Sequence, residues 1–595
     1  MSKNKDLDSL YPQRKSSKLQ ALKGKLGLNR SDLDKMNGKR FNLDLCLTIL
    51  SFIFLIIVVV IPMMMIIYNV FFSNGSFDLG MLKRVLLDKE NIGAMLNTII
   101  IAFAVTVLGT IVGLFFAWLL GRSDIPLKGL MRSLFNIPYM FPPFFGAMAW
   151  DLLLSSRGGY FNNWYMHVTG AKSALFNINS IGGIIFVELS YYFPFVFMQV
   201  VSALERMDPT LEESARIAGA KQSYVIRKIT LPLVKPAIAS GALLILTSSL
   251  SHFGVPSILG FSQKIYTLPT RIYDLINRSS GDFQGIREGA TLSILLVIVV
   301  MLALLLQRVV LKSGNYDIIK GKSMRPMLIH LHGAKWPLLI VSLLFLGLVV
   351  VVPLVMIFLV GLLKAYGLPL LPQNFSLKNY SDILMHNKMV TDSITNSLFL
   401  SVSAGVICML FGVMIAYVIT KIKPRGKGVL EVVSLLPYSI PGIVLAIGVI
   451  LAWSGKLGIN LYNSIWIILI AYLARYLAFS MKSASASLQQ VHYSLEDAAR
   501  NCGATHFEAL RDVTIPLIRP AMISGFFLIF LPAMRELTTS VLLYGPYSRT
   551  LGVAIYSLKS DGYIVQASAL ASVAIVIIFV CNAIVRWITG DRKLK

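Results

Sequence analysis

Twelve long apolar runs, separated by short polar stretches, fill the chain between residues 43 and 589. An α-helix needs roughly 20 mostly apolar residues to cross a hydrocarbon core about 30 Å thick. The predicted spans are roughly 44–71, 95–120, 131–154, 181–203, 236–258, 288–311, 337–363, 394–420, 429–453, 464–487, 520–543 and 565–589. A membrane barrel would show shorter segments of alternating polarity, and the chain has none of that pattern. The expected fold class is an all-α polytopic membrane protein. Composition agrees, with 56% of the 595 residues hydrophobic, 14% charged and a mean hydropathy of +0.71.

Two polar islands interrupt the pattern, and they are copies of each other 284 residues apart. The first reads Leu211-Glu212-Glu213-Ser214-Ala215-Arg216-Ile217-Ala218-Gly219, then nine residues, then Ile229-Thr230-Leu231-Pro232. The second reads Leu495-Glu496-Asp497-Ala498-Ala499-Arg500-Asn501-Cys502-Gly503, then nine residues, then Val513-Thr514-Ile515-Pro516. Thr210 with Glu213, and Ser494 with Asp497, have the spacing of a capping box, so a short helix is predicted to start at each. Gly219 and Gly503 are placed to end it in the left-handed conformation. A second short helix should follow, up to Pro232 and Pro516. Ser214-Ala215 and Ala498-Ala499 leave each first helix a face that another surface can approach closely.

The duplication extends beyond the islands. Asn97, Gly113, Ala117, Trp118, Pro138-Tyr139 and Pro142 recur 299 residues on as Asn396, Gly412, Ala416, Tyr417, Pro437-Tyr438 and Pro441. Pro236, Ala237, Ser240 and Gly241 recur 284 on as Pro520, Ala521, Ser524 and Gly525. Fifteen extra residues therefore lie in the first half, most simply in the loop 155–180. Six spans per half keep both copies in one orientation, so a parallel repeat is predicted. The expected divisions are a basic tail 1–42, a first repeat 43–311 with its loop 205–235, a linker 312–335, a second repeat 336–589 with its loop 488–519, and a tail 590–595. Prolines in the third and ninth spans predict either packed kinks or broken helices beside a pathway.

The formal net charge of +26 would suit a nucleic-acid binder, but its distribution argues against one. Eleven Lys/Arg lie in the first 42 residues, and others cluster at 121–132, 312–335 and 420–428. All these segments fall on one side of the twelve-span arrangement, as the positive-inside rule requires of a cytoplasmic face. Both termini and both islands are thus expected in the cytoplasm, and the partner of the apolar surface is the lipid bilayer. No cleavable signal peptide is expected, because the first apolar run begins late and is long. Four cysteines (Cys46, Cys408, Cys502 and Cys581) give no disulfide framework or metal-ligand spacing.

The islands resemble the "EAA" coupling loop of permeases in binding-protein-dependent ABC importers. The first matches through Glu213-Ser-Ala, Gly219 and Ile229-x-Leu-Pro232; the second carries Asp497, Val513 and Ile515 at the matching positions. The resemblance implies the type I ABC importer permease fold, with two six-helix repeats on one chain. It also implies coupling residues Glu212, Glu213, Ala215, Gly219, Pro232, Glu496, Asp497, Ala499, Gly503 and Pro516. Two copies of an ABC ATPase subunit would dock on them, carrying the ATP and magnesium. No Gly-x-x-x-x-Gly-Lys-Ser/Thr loop occurs in this chain, so no cofactor and no catalytic or metal residues are expected on it. The segments Ser251–Pro256 and Arg535–Thr539 are similar to those of ferric-iron-type permeases, with thiamine, 2-aminoethylphosphonate and polyamine permeases as competing relatives. The implied role is import of a solute from an extracytoplasmic binding protein across a bacterial plasma membrane.

Ionisable residues inside spans mark candidate pathways. Glu188, Tyr191, Tyr192 and Phe195 share one helical face, and Tyr472, Arg475, Tyr476 and Phe479 form the corresponding stripe. The expectation is that these faces meet near the pseudo-twofold axis, with Glu188 and Arg475 balancing each other or simply packing as an ion pair. Arg535 and Glu536 are candidates for a gate or interhelical contact, pointing to different sides. An ion-coupled secondary carrier is the main alternative class. An ABC exporter would usually carry its nucleotide domain or lack the EAA loop, and seven histidines without an H-x-x-x-H cluster give no support to a membrane enzyme.

Overall fold

The computed structural model describes residues 30–73, 76–278, 283–312 and 328–589, with most side chains from residue 43 onward. The basic tail, most of the linker 312–335 and the tail 590–595 lie outside the described residues or their described side chains. The first half comprises α1 (Leu43–Phe71), α2 (Lys89–Arg122), α3 (Lys128–Phe135), α4 (Pro143–Leu154), α5 (Ile181–Arg206), α6 (Thr210–Ile217), α7 (Gln222–Leu250), α8 (Gly254–Gly260), α9 (Leu268–Arg278) and α10 (Phe283–Lys312). The second comprises α11 (His332–Leu362), α12 (Lys388–Ile422), α13 (Lys427–Ser439), α14 (Gly442–Trp453), α15 (Ile465–Leu488), α16 (Tyr493–Asn501), α17 (His506–Met534), α18 (Ser540–Leu543), α19 (Leu551–Ser560) and α20 (Ile564–Thr589).

The halves repeat even in their irregularities. π-Helical turns interrupt α1 at Ile56–Val60 and α11 at Gly347–Val351, and interrupt α7 at Ile226–Thr230 and α17 at Leu510–Thr514. A π-turn inserts one residue into a helix and shifts the faces on either side of it.

Ten helices among the described residues are long and apolar enough to cross a membrane, and α13 with α14 forms one further candidate bent by 114°. The twelve expected spans are thus corrected at the third and ninth. Pro437 and Pro441 separate α13 from α14, and Pro138, Pro142 and Pro143 divide the first-half counterpart into α3, the turn Ile137–Met140 and α4. Proline lacks the N–H that would continue the ladder and clashes with the preceding turn. The pieces α4 and α14 have 12 residues each, a rise of about 18 Å that is well short of the bilayer core. These are broken helices, not packed kinks. The fifth and eleventh spans also shift: α7 and α17 start at 222 and 506 and end at 250 and 534.

The first span of each half packs on the other half. α1 lies against α14, and α11 lies against α4. At the first crossing a side chain on Gly448 would meet the Pro62 carbonyl oxygen at 2.8 Å, so glycine is what lets the two backbones approach. At the second, Leu152 of α4 is buried with Met356 and Val360 of α11. Lys456 Nζ also reaches Asn69 Oδ1 across the halves at 2.9 Å. Exchange of the first spans means that neither half can bury its α4 or α14 alone. Cutting the chain within 313–327 and co-expressing the pieces should give two halves that co-purify from detergent as a 1:1 complex. Each piece expressed alone should aggregate or be degraded; a single half with native thermal stability would contradict the exchange.

Candidate functional site

Each island folds into a short helix, a tight reversal and the start of a long rod. The expected capping boxes at Thr210 and Ser494 do not form. Thr210 is already helical, and its N–H and hydroxyl both donate to Asp208 Oδ1, at 2.9 and 2.8 Å. Those bonds favour the ionised carboxyl and hold Asp208 below its ordinary pKa. In the second island the His492 side chain accepts from the Ser494 N–H. A true capping box forms instead at Thr505 and Glu508, at the start of α17.

Gly219 and Gly503 adopt φ of +86° and +97° and close both short helices identically. Ala220 N–H donates to Ala215 O, and Gly219 N–H to Arg216 O; Ala504 and Gly503 do the same to Ala499 and Arg500. This is a Schellman motif, and it needs a residue without a Cβ penalty at positive φ. The predicted second helix is not ended by Pro232 or Pro516. Each proline lies in the first turn after a π-turn, and the helix runs on without a break through α7 and α17.

The paired acids divide their roles. Glu212 and Glu496 are buried, 4% and 8% exposed. The Thr230 hydroxyl donates to Glu212 at 2.6 Å, and the Thr514 hydroxyl to Glu496 at 2.6 Å. Arg122, at the end of α2, lies 3.5 Å from Glu212, while the Tyr417 hydroxyl in α12 donates to Glu496 at 3.3 Å. Tyr417 also contacts His506, which pairs at 3.1 Å with Asp44 on α1 of the other half. Glu213 is half-buried, Asp497 is exposed, and Ile217 is 88% exposed. The first acid thus ties the short helix to its rod, and the second faces outward with Ala215 and Ala499 half-buried beside it. Nothing in the sequence reading gives Arg122, Thr230, Tyr417 or Thr514 an anchoring role, although Thr230 and Thr514 recur at the 284-residue offset and Tyr417 matches Trp118 at the 299-residue one.

Glu188 and Arg475 do not balance each other. The Ser249 hydroxyl donates to Glu188, and His252 Nδ1 lies 2.9 Å from its other oxygen. Arg475 Nε lies 3.6 Å from Glu536, and Arg475 Nη1 donates to Thr539 Oγ1 at 3.0 Å. Glu536 also accepts from the Tyr476 hydroxyl at 2.7 Å and the Thr539 N–H at 2.9 Å. Tyr472 exchanges a hydrogen bond with Ser540 at 2.8 Å, and Tyr191 packs on α4 at Gly146. Each stripe therefore pairs within its own half, with residues at or just past the end of α7 or α17. His252 and Glu536 occupy matching positions, 284 apart, but carry opposite charge tendencies.

Arg535 bridges the halves at the broken helices. Its guanidinium donates to the carbonyls of Tyr139 and Met140, at 3.0 and 2.6 Å, and lies over the Tyr139 ring at 5.7 Å. Tyr192 of the first stripe and Tyr476 of the second both lie within its electrostatic reach. Tyr139 and Tyr438, at the matching breaks, pack edge-on against Phe195 and Phe479, with ring centroids 5.5 and 5.2 Å apart. As expected, Arg535 and Glu536 point apart. The two faces converge on Arg535 and the broken helices.

Two sets of substitutions test these assignments by thermal unfolding in detergent. Glu212→Ala or Glu496→Ala should destabilise by about 1–3 kcal/mol, the usual cost of orphaning buried polar partners. Glu213→Gln and Asp497→Asn should change the midpoint little. Arg475→Glu alone should cost about 3–5 kcal/mol by setting a second carboxylate against the buried Glu536, and adding Glu536→Arg should recover much of it. Recovery by Glu188→Arg instead would restore the pairing the structure rejects.

Comparison with known proteins places this geometry. The family model described as "Binding-protein-dependent transport system inner membrane component" matches twice, at residues 109–313 and 408–592. The ferric transport system permease protein FbpB of Actinobacillus pleuropneumoniae is 26% identical over 572 residues, covering 94% of this chain and 80% of that protein. The putative ferric transport system permease protein FbpB 1 of Haemophilus influenzae is 26% identical, covering 87% of this chain and 80% of that protein. A putative 2-aminoethylphosphonate transport system permease protein PhnV from Salmonella paratyphi A is 32% identical over 209 residues, 35% of this chain and 77% of that protein. With one match in each half, both containing an anchored island and its rod, the chain belongs to the family of binding-protein-dependent transport system inner membrane components.

Proposed function

We propose that this chain is the membrane subunit of an ATP-driven importer that carries ferric iron, delivered by an extracytoplasmic binding protein, into the cytoplasm of a bacterium. The observation that carries the transport mechanism is the duplicated island with its buried acid anchor. ATP hydrolysis belongs to separate subunits, one docked on α6 and one on α16, each bringing its own ATP and magnesium. The ferric assignment draws on the two ferric permeases that align over most of the chain. The phosphonate permease aligns with only a third of it, which makes phosphonate the weaker reading.

The chain runs in two parallel repeats, with both termini and both islands in the cytoplasm. The basic residues beside the islands support this orientation: Arg132 pairs with Glu205 just before α6, and Lys421 donates to Val491 O and lies over the Tyr493 ring beside α16. Opposite them, the loop 155–180 is a folded platform. The buried Asn162 amide donates to the carbonyls of Leu154, Ser155 and Phe176, and Tyr366 reaches across to Gly158 O. This surface receives the binding protein.

Closure of the ATPases draws α6 and α16 together. The Glu212–Thr230 and Glu496–Thr514 bonds pass that displacement to α7 and α17. These rods are 29 residues long, about 43 Å at the helical rise. Their far ends carry His252, Arg535 and Glu536, so the polar cluster at the broken helices shifts and the route opens outward. The docked ATPases bias a two-state element by contacting its states differently. Glu213 and Asp497 meet the ATPase surface, and the stripes with Arg535 line the route.

In proteoliposomes holding the membrane subunit with its ATPase and binding protein, radiolabelled ferric iron uptake should require ATP. Glu212→Ala with Glu496→Ala should cut uptake at least tenfold while ATP is still hydrolysed. Uptake without ATP, driven by an imposed ion gradient, would replace this reading with a secondary carrier.

A further inference from the structure

Between the halves, at the end of the molecule opposite the islands, lies an open cavity of about 710 Å³. α9 contributes Tyr273 and Asp274, and the second half contributes Tyr544, Arg549, Tyr556 and Asp561. Contacts fix its position at the outer end. On α9, Arg271 donates to Asn91 Oδ1, near the start of α2, at 2.8 Å, and Lys559 beside the cavity pairs with Asp151 at the end of α4 at 2.6 Å.

The phenols gather from both halves. The Tyr273 and Tyr556 rings are 6.2 Å apart and edge-on, and the Tyr556 hydroxyl interacts with those of Ser257, Ser560 and Tyr273. Tyr544 and Asp561 lie within electrostatic reach of Tyr273. Asp274 is held by Arg271 and Arg278, whereas Asp561 is on the exposed rim with no ion pair among the described residues. Among the described residues no group of three or more His, Cys, Asp or Glu is placed to hold a metal. The oxygen chemistry here is phenolic, with a carboxylate beside it. A hard trivalent cation selects oxygen ligands and deprotonates them on binding. Of the cations on the cavity wall, Arg278 is paired with Asp274 and Lys559 with Asp151, whereas Arg549 has no carboxylate partner among the described residues; it would repel a bare trivalent ion but complements one that still carries an oxyanion.

We propose that this cavity is an entry site that takes the ferric ion as an oxyanion complex, with Tyr273 and Tyr556 as ligands and Arg549 facing the anion. This rests on the ferric reading above. Iron stays ferric throughout: two Fe–O(phenolate) bonds form, the two phenolic protons leave to water, and the exchanged chelator oxygens depart.

The test uses the complete importer, in lipid nanodiscs for the spectrum and in proteoliposomes for uptake, with ferric citrate as probe. A visible phenolate-to-iron charge-transfer band should appear on titration. Tyr273→Phe with Tyr556→Phe should abolish it and lower ferric uptake at least tenfold. If that double variant fails to assemble, Tyr273→Phe alone should halve the band or more, and Asp561→Asn should weaken the apparent affinity several-fold. Ferric uptake by the unaltered importer with no band, or a band that survives both tyrosine substitutions, overturns the entry site alone. An unaltered importer that takes up no ferric iron in any form overturns the ferric reading, and this proposal with it.

Discussion

The structure turns on one interaction made twice: a buried glutamate that accepts from a threonine hydroxyl across the island. Glu212 with Thr230, and Glu496 with Thr514, join a short polar helix to the foot of a rod crossing the membrane. A buried carboxylate is costly unless its oxygens are satisfied, so each site recruits a further partner, Arg122 or Tyr417, from the end of the neighbouring span. The π-turn just before each rod's regular part ends at the threonine itself. Without these bonds the island would be a surface loop, free to move without moving anything else.

The rest of the architecture follows from having two such units that must act together. Exchange of α1 and α11 interlocks the halves, and the Asp44–His506 pair places the first half's opening span against the second half's island. Arg535 makes a second tie near the rods' far ends, where carbonyls freed by the proline breaks are available to accept. The breaks are thus used twice: they interrupt the membrane helices, and they supply acceptors for a cation that bridges the halves. At one matching position the halves differ in charge: His252 faces Glu188 in the first, and Glu536 pairs with Arg475 in the second.

Much of this was legible in the sequence, because repeats and helix-stop chemistry are local. The 284- and 299-residue offsets reappear as matched helices, and Gly219 and Gly503 end their helices in the left-handed conformation expected of them. The failures have physical causes. The Thr210 capping box lost to Asp208, whose carboxylate two residues upstream accepts from both the Thr210 N–H and its hydroxyl. Pro232 did not stop its helix because a proline in the first turn after a π-turn forfeits no needed N–H. Glu188 and Arg475 look complementary on aligned stripes, but their partners lie 61 to 64 residues away in the same half, which helical periodicity cannot reveal. Twelve uniform spans came from hydropathy, which does not register the proline breaks.

The central claim is that islands and rods move as one body through the buried acids. Pulsed electron resonance on a cysteine-free background can measure it, with one label pair at Ile217 and Asn501 on the islands and another at Ser262 and Tyr547 at the opposite end. In the complete importer, ATP should shorten the first distance and change the second. With Glu212→Ala and Glu496→Ala, the first should still shorten while the second stays at its resting value. An outer pair that responds equally with and without the acids would contradict the account.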